Sequence, residues 1–219
     1  MIVVFLGPPG SGKGTQADFL HENYGFTHFD TGSRLREEIA SGSELGRRIA
    51  SYTDQGNLVP IEVIRDLVTT FFETNFERRV LFDGFPRNLE QAEVLTTCLA
   101  DSGLSLDCAI YLEIDSDSLV QRIVNRRFCP KCGEIYNLIS RPPAHDEVCD
   151  KDGARLVLRR DDTEEVFRNR LAVYDQQTRP VLEYYRAKDQ LKTVDGDDQI
   201  ETVSASIVRL LELDGIYAP

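Results

Sequence analysis

The feature that most constrains this chain is a run of nine residues near its amino terminus, Gly7-Pro-Pro-Gly-Ser-Gly-Lys-Gly-Thr15, which follows the short apolar run Ile2–Leu6. An apolar strand that leads into a glycine-rich turn and then a helix directs backbone N–H groups and the helix N-terminus at an anion. The glycines permit tight turns, and Lys13 adds positive charge for the terminal phosphates of a nucleotide. An ordinary glycine-rich turn is the competing interpretation, but strand, loop, lysine and helix lie in register here. The run therefore predicts a P-loop, and with it a phosphotransferase.

This loop departs from the usual P-loop pattern at the position whose hydroxyl normally binds Mg²⁺. A strict P-loop has Ser or Thr directly after the lysine, whereas Gly14 stands there and Thr15 follows. We therefore expect Mg²⁺ to be held mainly by phosphates and waters. The apolar run Val80-Leu-Phe-Asp83 ends in a carboxylate of the kind that such enzymes place near the metal, so Asp83 is a candidate for the Mg²⁺ site. That pattern is weak alone, because many buried strands end in Asp at a turn.

The rest of the chain alternates short β-rich runs with amphipathic helical stretches. This alternation predicts an α/β fold in which helices flank both faces of a parallel five-stranded sheet. The predicted strands are residues 2–6, 27–29, 80–82, 108–114 and 191–194. Residues 200–213 carry apolar side chains at helical spacing and predict a final helix packed on that sheet.

Two segments interrupt the alternation. Residues 30–59 are helical by pattern but supply no strand, and residues 127–160 lose helical periodicity and gather Cys, Pro, Gly and charged residues. We therefore expect a core made of residues 1–29, 60–126 and 161–219. The first insertion should be helical, and the second should be a small, separately stabilised subdomain of hairpins and loops.

Charge and hydropathy restrict the partners and the compartment. The formal net charge is −12, which argues against nucleic acid or an anionic membrane as a partner, so a polyanionic ligand needs a local cluster of bases. No apolar run approaches the roughly 20 residues of a membrane helix. Ile2–Leu6 is too short for a signal sequence and lacks a basic flank. We expect a cytoplasmic protein with reduced cysteines.

A second motif has the spacing of a metal site. Cys129-Pro-Lys-Cys132 is followed after sixteen residues by Cys149-Asp-Lys-Asp152, and a glycine follows each pair. Two short-spaced ligand pairs predict tetrahedral zinc bound by Cys129, Cys132, Cys149 and Asp152. Four protein ligands leave no open position, so the Zn²⁺ should be structural and should supply the fold of a segment too small for its own core.

Three alternatives to this zinc site stay open. His145 or Asp150 could replace Asp152 as the fourth ligand. A segment that has lost its ancestral metal is also compatible with the three thiols. A redox-active cysteine pair is disfavoured, because a third cysteine lies at zinc-ribbon spacing.

Further motifs make the chain resemble a known family. They are Asp30-Thr-Gly32 with Arg36, Asp83-Gly-Phe-Pro-Arg87 with Gln91, Arg122-Ile-Val-Asn-Arg-Arg127, and Arg159-Arg-Asp-Asp162 followed by Arg170. Together with the P-loop they resemble adenylate kinase, in order and over nearly the whole chain. The resemblance implies the reaction ATP + AMP to two ADP with Mg²⁺, in a monomer. Some members of that family carry zinc in a lid, with Asp replacing the fourth Cys.

The chemistry of phosphoryl transfer fits this basic set. Transfer between two nucleotides needs in-line positioning and positive charge around the moving oxygens, and arginine suits bidentate phosphate contacts. The candidate catalytic residues are Lys13, Arg87, Arg122, Arg126, Arg159 and Arg170. Arg122 and Arg126 are four residues apart on a predicted helix and should share one face. Solvated surface charge would explain any one of them, but the set gathers at the matching motifs.

The resemblance also implies two nucleotide sites. The residues implied for ATP are Gly10, Ser11, Gly12, Lys13, Gly14, Thr15, Arg122, Arg126, Ile135, Tyr136 and the backbone of Asp198. The residues implied for AMP are Thr31, Arg36, Asn57, Leu58, Val59, Gly84, Phe85, Pro86, Arg87, Gln91, Arg159 and Arg170. Thr31 and Gln91 can read a base edge and favour adenine in that family. Residues 30–59 would then be an AMP-binding insertion and residues 127–160 a lid.

Several assignments remain alternatives. Asp161 and Asp162 precede a predicted helix, where Asp162 with Glu165 fits an N-cap; both could instead pair with the arginines when nucleotide is absent. His28 matches no motif and is expected to be structural or superficial. Another nucleoside monophosphate kinase is the nearest competing function. A zinc-ribbon module that binds protein or nucleic acid on a P-loop switch is a competitor from another class.

Overall fold

The centre of the molecule is a parallel sheet that follows the predicted alternation. The computed structural model describes residues 1–74, 79–159, 162–213 and 215. Its strands are β1 (Ile2–Leu6), β2 (Thr27–Asp30), β3 (Val80–Asp83), β4 (Cys108–Glu113), β5 (Arg126–Phe128), β6 (Ile135–Asn137) and β7 (Leu191–Asp195). Five of them form one sheet in the order β2-β3-β1-β4-β7, with every neighbouring pair parallel. The α/β fold and its five predicted strands are confirmed to within one residue at each end.

The central strand β1 is apolar throughout because both of its faces are covered. All five residues of β1 are buried, which is typical of parallel sheets. Val4 packs in one core with Phe29 and Phe82, and Phe5 packs in a second core on the opposite face with Ile110. Side chains that alternate along a strand therefore supply two separate apolar layers.

Helices complete both layers. They are α1 (Lys13–Tyr24), α2 (Thr31–Ala40), α3 (Glu44–Thr53), α4 (Ile61–Thr74), α5 (Leu89–Asp101), α6 (Ser116–Val124), α7 (Glu164–Val173), α8 (Arg179–Arg186) and α9 (Ile200–Leu210). Apolar residues of α4, α5 and α8 pack in the core with Phe82, and those of α1 and α9 pack in the core with Phe5. The predicted carboxy-terminal helix is confirmed as α9, and none of the helices in the described ranges is long and apolar enough to cross a bilayer.

Helices α7 and α8 are continuous through a wider, π-helical turn at Tyr174–Thr178. The N–H of Arg179 bonds to the carbonyl of Tyr174, five residues back. Pro180 explains this turn, because its ring would collide with the carbonyl of the residue four positions earlier in a regular helix. The turn places Thr178 so that its hydroxyl donates to the carbonyl of Arg87 at 2.7 Å.

The two interrupting segments have different structures. Between β2 and β3, α2 and α3 pack closely: a Cβ added to Gly46 would lie only 2.3 Å from the carbonyl oxygen of Glu38. The second segment contains the antiparallel pair β5 and β6, extended by a bridge between Phe128 and Val157. Its small core consists of Cys129, Tyr136, Cys149 and Leu156.

Candidate active site

A cleft of about 640 Å³ lies at the carboxyl ends of the strands. Its lining includes all the residues predicted for ATP, which come from the P-loop, α6, β5, β6 and the loop after β7. The lining residues predicted for AMP are Arg36, Leu58, Gly84, Pro86, Arg87, Arg159 and Arg170. The other five predicted for AMP, which do not line this cleft, are Thr31, Asn57, Val59, Phe85 and Gln91. The cleft is therefore lined by the whole set predicted for ATP and by part of the set predicted for AMP.

Hydrogen bonds within the P-loop hold its lysine in place. Lys13 Nζ donates to the carbonyls of Gly7 and Pro8, both at 2.9 Å, and to Ser11 Oγ at 3.2 Å. Gly12 caps α1 with a φ of 92°, a left-handed conformation that favours glycine. Loss of water is the main cause that lowers the pKa of Lys13, and repulsion from Arg87, Arg170 and Arg126 acts in the same direction. Attraction to Asp83 opposes them, and together these effects hold the pKa of Lys13 at about 8.

Asp83 lies beside the loop and contacts a histidine that the sequence left without a role. A Cβ added to Gly14 would lie 3.7 Å from Asp83 Oδ2. His28 Nε2 lies 3.8 Å from the same oxygen, and His28 Nδ1 lies 3.4 Å from Asp18 Oδ1. Burial alone would lower the pKa of His28, but Asp18 and Asp83 raise it to about 10. Burial alone would raise the pKa of Asp83, but His28 and Lys13 hold it below its usual value.

One buried carboxylate organises two of the arginines. Arg126 contacts both oxygens of Asp162, with Nε to Oδ2 at 2.7 Å, and Arg170 Nη1 lies 3.8 Å from Oδ1. The side chain of Asp162 is fully buried. Its pairing with two arginines agrees with one of the two predicted roles. The predicted N-cap role is wrong, because Thr163 caps α7 by accepting from the N–H of Val166. Asp161 lies outside the described residues.

The expected helical pairing of Arg122 with Arg126 is also wrong. Helix α6 ends at Val124, and Arg126 begins β5, where its backbone pairs with Asn137. The strand pairing replaces the helical hydrogen bonds at that point. Arg122 stays on α6 and donates from Nη2 to the carbonyl of Gly196 at 2.9 Å. Both arginines still line the same cleft, from different elements.

The remaining arginines are held by backbone and hydroxyl oxygens or lie over aromatic rings. Arg87 Nε donates to the carbonyl of Gly84 at 2.7 Å. Arg36 Nη2 donates to Ser33 Oγ at 2.7 Å, and it lies 3.4 Å from Asp30 Oδ2. The guanidinium of Arg159 lies 5.1 Å from the centre of the Phe128 ring. These contacts keep three guanidinium groups near the cleft in an acidic protein.

One residue predicted for AMP has a buried polar atom that makes no hydrogen bond to the described residues. Thr31 is only 2% exposed, and its Oγ1 has no hydrogen-bond partner among the residues that the structure describes. Gln91 is equally buried, and its Oε1 accepts from the N–H of Arg87 at 2.7 Å. Because the amide oxygen is used in this contact, the amide nitrogen of Gln91 is the atom that can donate a hydrogen bond to a ligand. Buried polar atoms normally have partners, so Thr31 is poised to acquire one.

The four predicted zinc ligands converge in the second segment. The ligand atoms of Cys129, Cys132, Cys149 and Asp152 all lie within 4.8 Å of one another. Two matching turns present them: the N–H of Gly133 bonds to the carbonyl of Cys129, and that of Gly153 to Cys149. Asp150 instead accepts from the N–H of Ala144 at 2.9 Å. Three thiols and one carboxylate at this separation fit tetrahedral zinc.

Comparison with known proteins gives a consistent set of relatives. A family model described as adenylate kinase matches residues 5–190. The chain is 44% identical over 213 residues to the adenylate kinase of Archaeoglobus fulgidus, covering 97% of this chain and 98% of that protein. It is 42% identical over 212 residues to that of Thermoanaerobacter sp. strain X514, covering 96% and 98%. It is also 42% identical over 211 residues to that of Hydrogenobaculum sp. strain Y04AAS1, covering 96% and 100%.

Proposed function

This chain belongs to the adenylate kinase family, and on that premise we propose how its cleft transfers a phosphoryl group from ATP to AMP to give two ADP. One observation carries the proposal. The P-loop and arginines from several separate helices, strands and loops line a single cavity, although the chain is strongly acidic. A basic set of this kind suits two phosphate-bearing ligands that meet end to end.

The part of the cleft proposed to bind the donor, ATP, begins with the P-loop. Residues 10–15 would surround the phosphates of ATP with backbone N–H groups, and Lys13 would exchange its carbonyl partners for phosphate oxygens. Mg²⁺ bound with the nucleotide neutralises charge that develops on the phosphates. Asp83 fits this ion, because its carboxyl is held ionised beside the loop. His28 would keep that carboxylate in position.

The acceptor half is proposed around Thr31 and Gln91. The unpartnered hydroxyl of Thr31 and the amide nitrogen of Gln91 would hydrogen-bond the base of AMP. Arg36 and Arg87 would bind its phosphate, and the backbone of residues 57–59 would cover the nucleotide. A base that pairs these buried groups is preferred over one that leaves them unpaired.

Transfer itself would need little covalent chemistry from the protein. The arginines would hold the two phosphates in line and stabilise the charge on the moving group. Asp162 would release Arg126 and Arg170 to the phosphates, since both guanidinium groups already contact its carboxylate. Closure of the lid over the cleft would exclude water and so limit hydrolysis of ATP.

We also propose a structural zinc ion in the lid. Cys129, Cys132, Cys149 and Asp152 would hold it, and it would supply the stability that the four-residue core there cannot. On this proposal residues 127–160 form the lid and residues 30–59 the AMP-binding insertion. Residues 1–29, 60–126 and 161–219 form the core. We propose a monomer in the cytoplasm, where the zinc thiolates stay reduced.

A coupled assay tests the reaction and its competitors together. Purified protein with Mg²⁺ is supplied with ATP and each of AMP, GMP, CMP and UMP, and then with GTP and AMP. We expect rapid formation of ADP from ATP and AMP. Faster turnover with another monophosphate would instead identify a different nucleoside monophosphate kinase. The absence of turnover with every acceptor would favour a binding module on a P-loop switch.

A further inference from the structure

A buried polar pair joins α1, the helix that follows the phosphate-binding loop, to α9. Gln16 of α1 and Ser204 of α9 are 3% and 4% exposed. Ser204 Oγ lies 2.8 Å from Gln16 Oε1, and Gln16 Nε2 donates to the carbonyl of Ile200 at 3.2 Å. These residues are more than 180 positions apart in the chain. Polar groups at such depth are costly unless paired, so this arrangement strongly constrains both helices.

What the pair fixes is the loop between β7 and α9. Ile200 is the first residue of α9, and residues 196–201 line the cleft beside the P-loop. Gln16 directly follows the last residue of the P-loop, so one side chain ties the phosphate-binding turn to this loop. Ser204 supports the same carbonyl, because its Oγ also lies 2.8 Å from the oxygen of Ile200.

The other end of the loop is anchored independently. The N–H of Gly196 donates to the carbonyl of Glu113 at 2.7 Å, and a Cβ at Gly196 would lie 2.8 Å from that oxygen. The N–H of Asp115 donates to Asp197 Oδ2 at 2.7 Å. Arg122 reaches the carbonyl of Gly196, so a phosphate-binding arginine also contacts this end. The exposed residues 197–199 are therefore held between two fixed points.

From this we infer that Gln16 and Ser204 are positioning residues that set the preference for the donor nucleotide. The inference rests on the proposed function, in which the P-loop binds the phosphates of the donor. A ligand whose phosphates lie on the P-loop places its base within reach of a neighbouring wall, and the 196–200 loop forms a wall beside the P-loop helix. Gln16 sets the separation between the phosphate-binding turn and the backbone groups that meet the base. Small errors in such a separation weaken recognition strongly.

The test is the Gln16→Met variant, which keeps the length of the side chain but removes both hydrogen bonds. We expect the KM for ATP to rise about tenfold, while kcat and the KM for AMP change less than about twofold. The advantage of ATP over GTP as donor should shrink by a similar factor. Gln16→Glu can still accept from Ser204 but cannot donate to Ile200. It should likewise raise the KM for ATP while changing kcat and the KM for AMP little. Ser204→Ala is the milder variant and should move the same parameters by a smaller factor.

Gln190→Met is the matched control. Gln190 is half-buried and also donates from its amide to a distant backbone carbonyl, that of Leu106 at 2.8 Å, but it does not line the cleft. This variant should leave the KM for ATP and the donor preference unchanged. If Gln16→Met raises both KM values equally, or raises neither, the inference is wrong. If Gln16→Met fails to fold, the same criteria apply to Ser204→Ala.

A direct measurement of ATP binding tests this inference independently of whether the protein catalyses the proposed reaction. ATP binding measured by calorimetry without AMP does not depend on turnover. If the wild type binds ATP but does not phosphorylate AMP, the proposed function fails, and the loss of ATP affinity in Gln16→Met still decides the inference. Unchanged ATP affinity in that variant contradicts the inference even when the wild type is active.

Discussion

Arg126, which lines the cleft, contacts both carboxylate oxygens of Asp162, and that carboxylate is fully buried. A buried carboxylate between two arginines occupies the kind of environment that a phosphate group requires. The same arginines are proposed to bind the phosphates during transfer. On that proposal, Asp162 is both the partner that stabilises these arginines before binding and the anion that nucleotide would displace.

Asp162→Asn should destabilise the free protein and increase its stabilisation by nucleotide. Removing one partner of a buried pair leaves uncompensated charge and typically costs about 3–5 kcal/mol. Phosphates would then meet arginines that have lost their competing anion. Thermal unfolding with and without saturating MgADP measures both effects. Asp175→Asn is the control, because it breaks an exposed ion pair with Arg179 and should cost at most about 1 kcal/mol. Equal effects of the two variants would contradict this role.

Lys13→Met should remove most of the activity without unfolding the chain. Lys13 supplies the charge at the P-loop, and loss of such a preorganised group typically lowers kcat by about 100- to 1000-fold. Circular dichroism checks the fold, and the coupled assay measures kcat. Arg87→Ala is expected to behave in the same way. Nearly full activity in either variant would contradict the proposed mechanism.

The lowered pKa of Lys13 predicts a specific pH dependence. Its pKa is about 8 in the free protein and 10.5 in the unfolded chain, so the unfolded state binds more protons between these values. Stability therefore gains a contribution from this group as pH rises from about 8 to 10.5. Nucleotide phosphates favour the charged amine, so kcat/KM for ATP should fall above about pH 8. Calorimetry at pH 8.5 in two buffers should detect proton uptake on ATP binding, which Lys13→Met should lack.

The cysteine cluster should bind close to one zinc ion per chain, and removing that ion should lower the melting temperature. Metal analysis and thermal scans with and without a strong chelator measure this. The structure also separates the candidate fourth ligands: Asp152→Ala should weaken zinc binding, whereas Asp150→Ala should retain it, because Asp150 bonds to the N–H of Ala144 instead. An unchanged melting curve after chelation would contradict a structural zinc site.

Gly46→Ala should destabilise the α2–α3 hairpin, although alanine normally stabilises a helix by up to about 1 kcal/mol over glycine. The added methyl group would approach the carbonyl of Glu38 within 2.3 Å and would force the helices apart. We expect a lower midpoint in urea and a higher KM for AMP. The control is Ser51→Ala on the exposed part of α3, which should leave both quantities nearly unchanged. A Gly46→Ala variant as stable as the wild type would refute this close packing.

Local patterns predicted the sheet and the P-loop because their physical causes are local. The apolar run of β1 and the glycines that follow it specify a buried strand and a phosphate-binding turn within a few residues. Ligand spacing likewise predicted the cysteine cluster, because each pair lies in a single tight turn. In such cases neighbouring residues in the sequence are neighbours in space.

The missed features depend on contacts between distant segments. His28 meets Asp83 only because β2 and β3 pair in one particular register, which no local pattern reveals. Arg126 lies in a strand and not in the predicted helix, because its backbone pairs with Asn137 of β6, a strand that comes later in the chain. The Gln16–Ser204 contact joins the two ends of the chain. The sequence therefore reveals which residues carry charge, but the tertiary fold decides which of them meet.

Because of the π-helical turn at Tyr174–Thr178, the number of residues in the surrounding helix determines how its two ends face the cleft and the core. Each residue of an α-helix advances the direction of its side chains by about 100°. Upstream of the turn Arg170 lines the cleft, and downstream of it Val181 is buried in the core. The wider turn accommodates one surplus residue without rotating these two surfaces relative to each other. Deleting that residue would make the turn regular and would press the ring of Pro180 against the carbonyl four positions earlier, so single-residue deletions should be tolerated far less here than in an exposed loop.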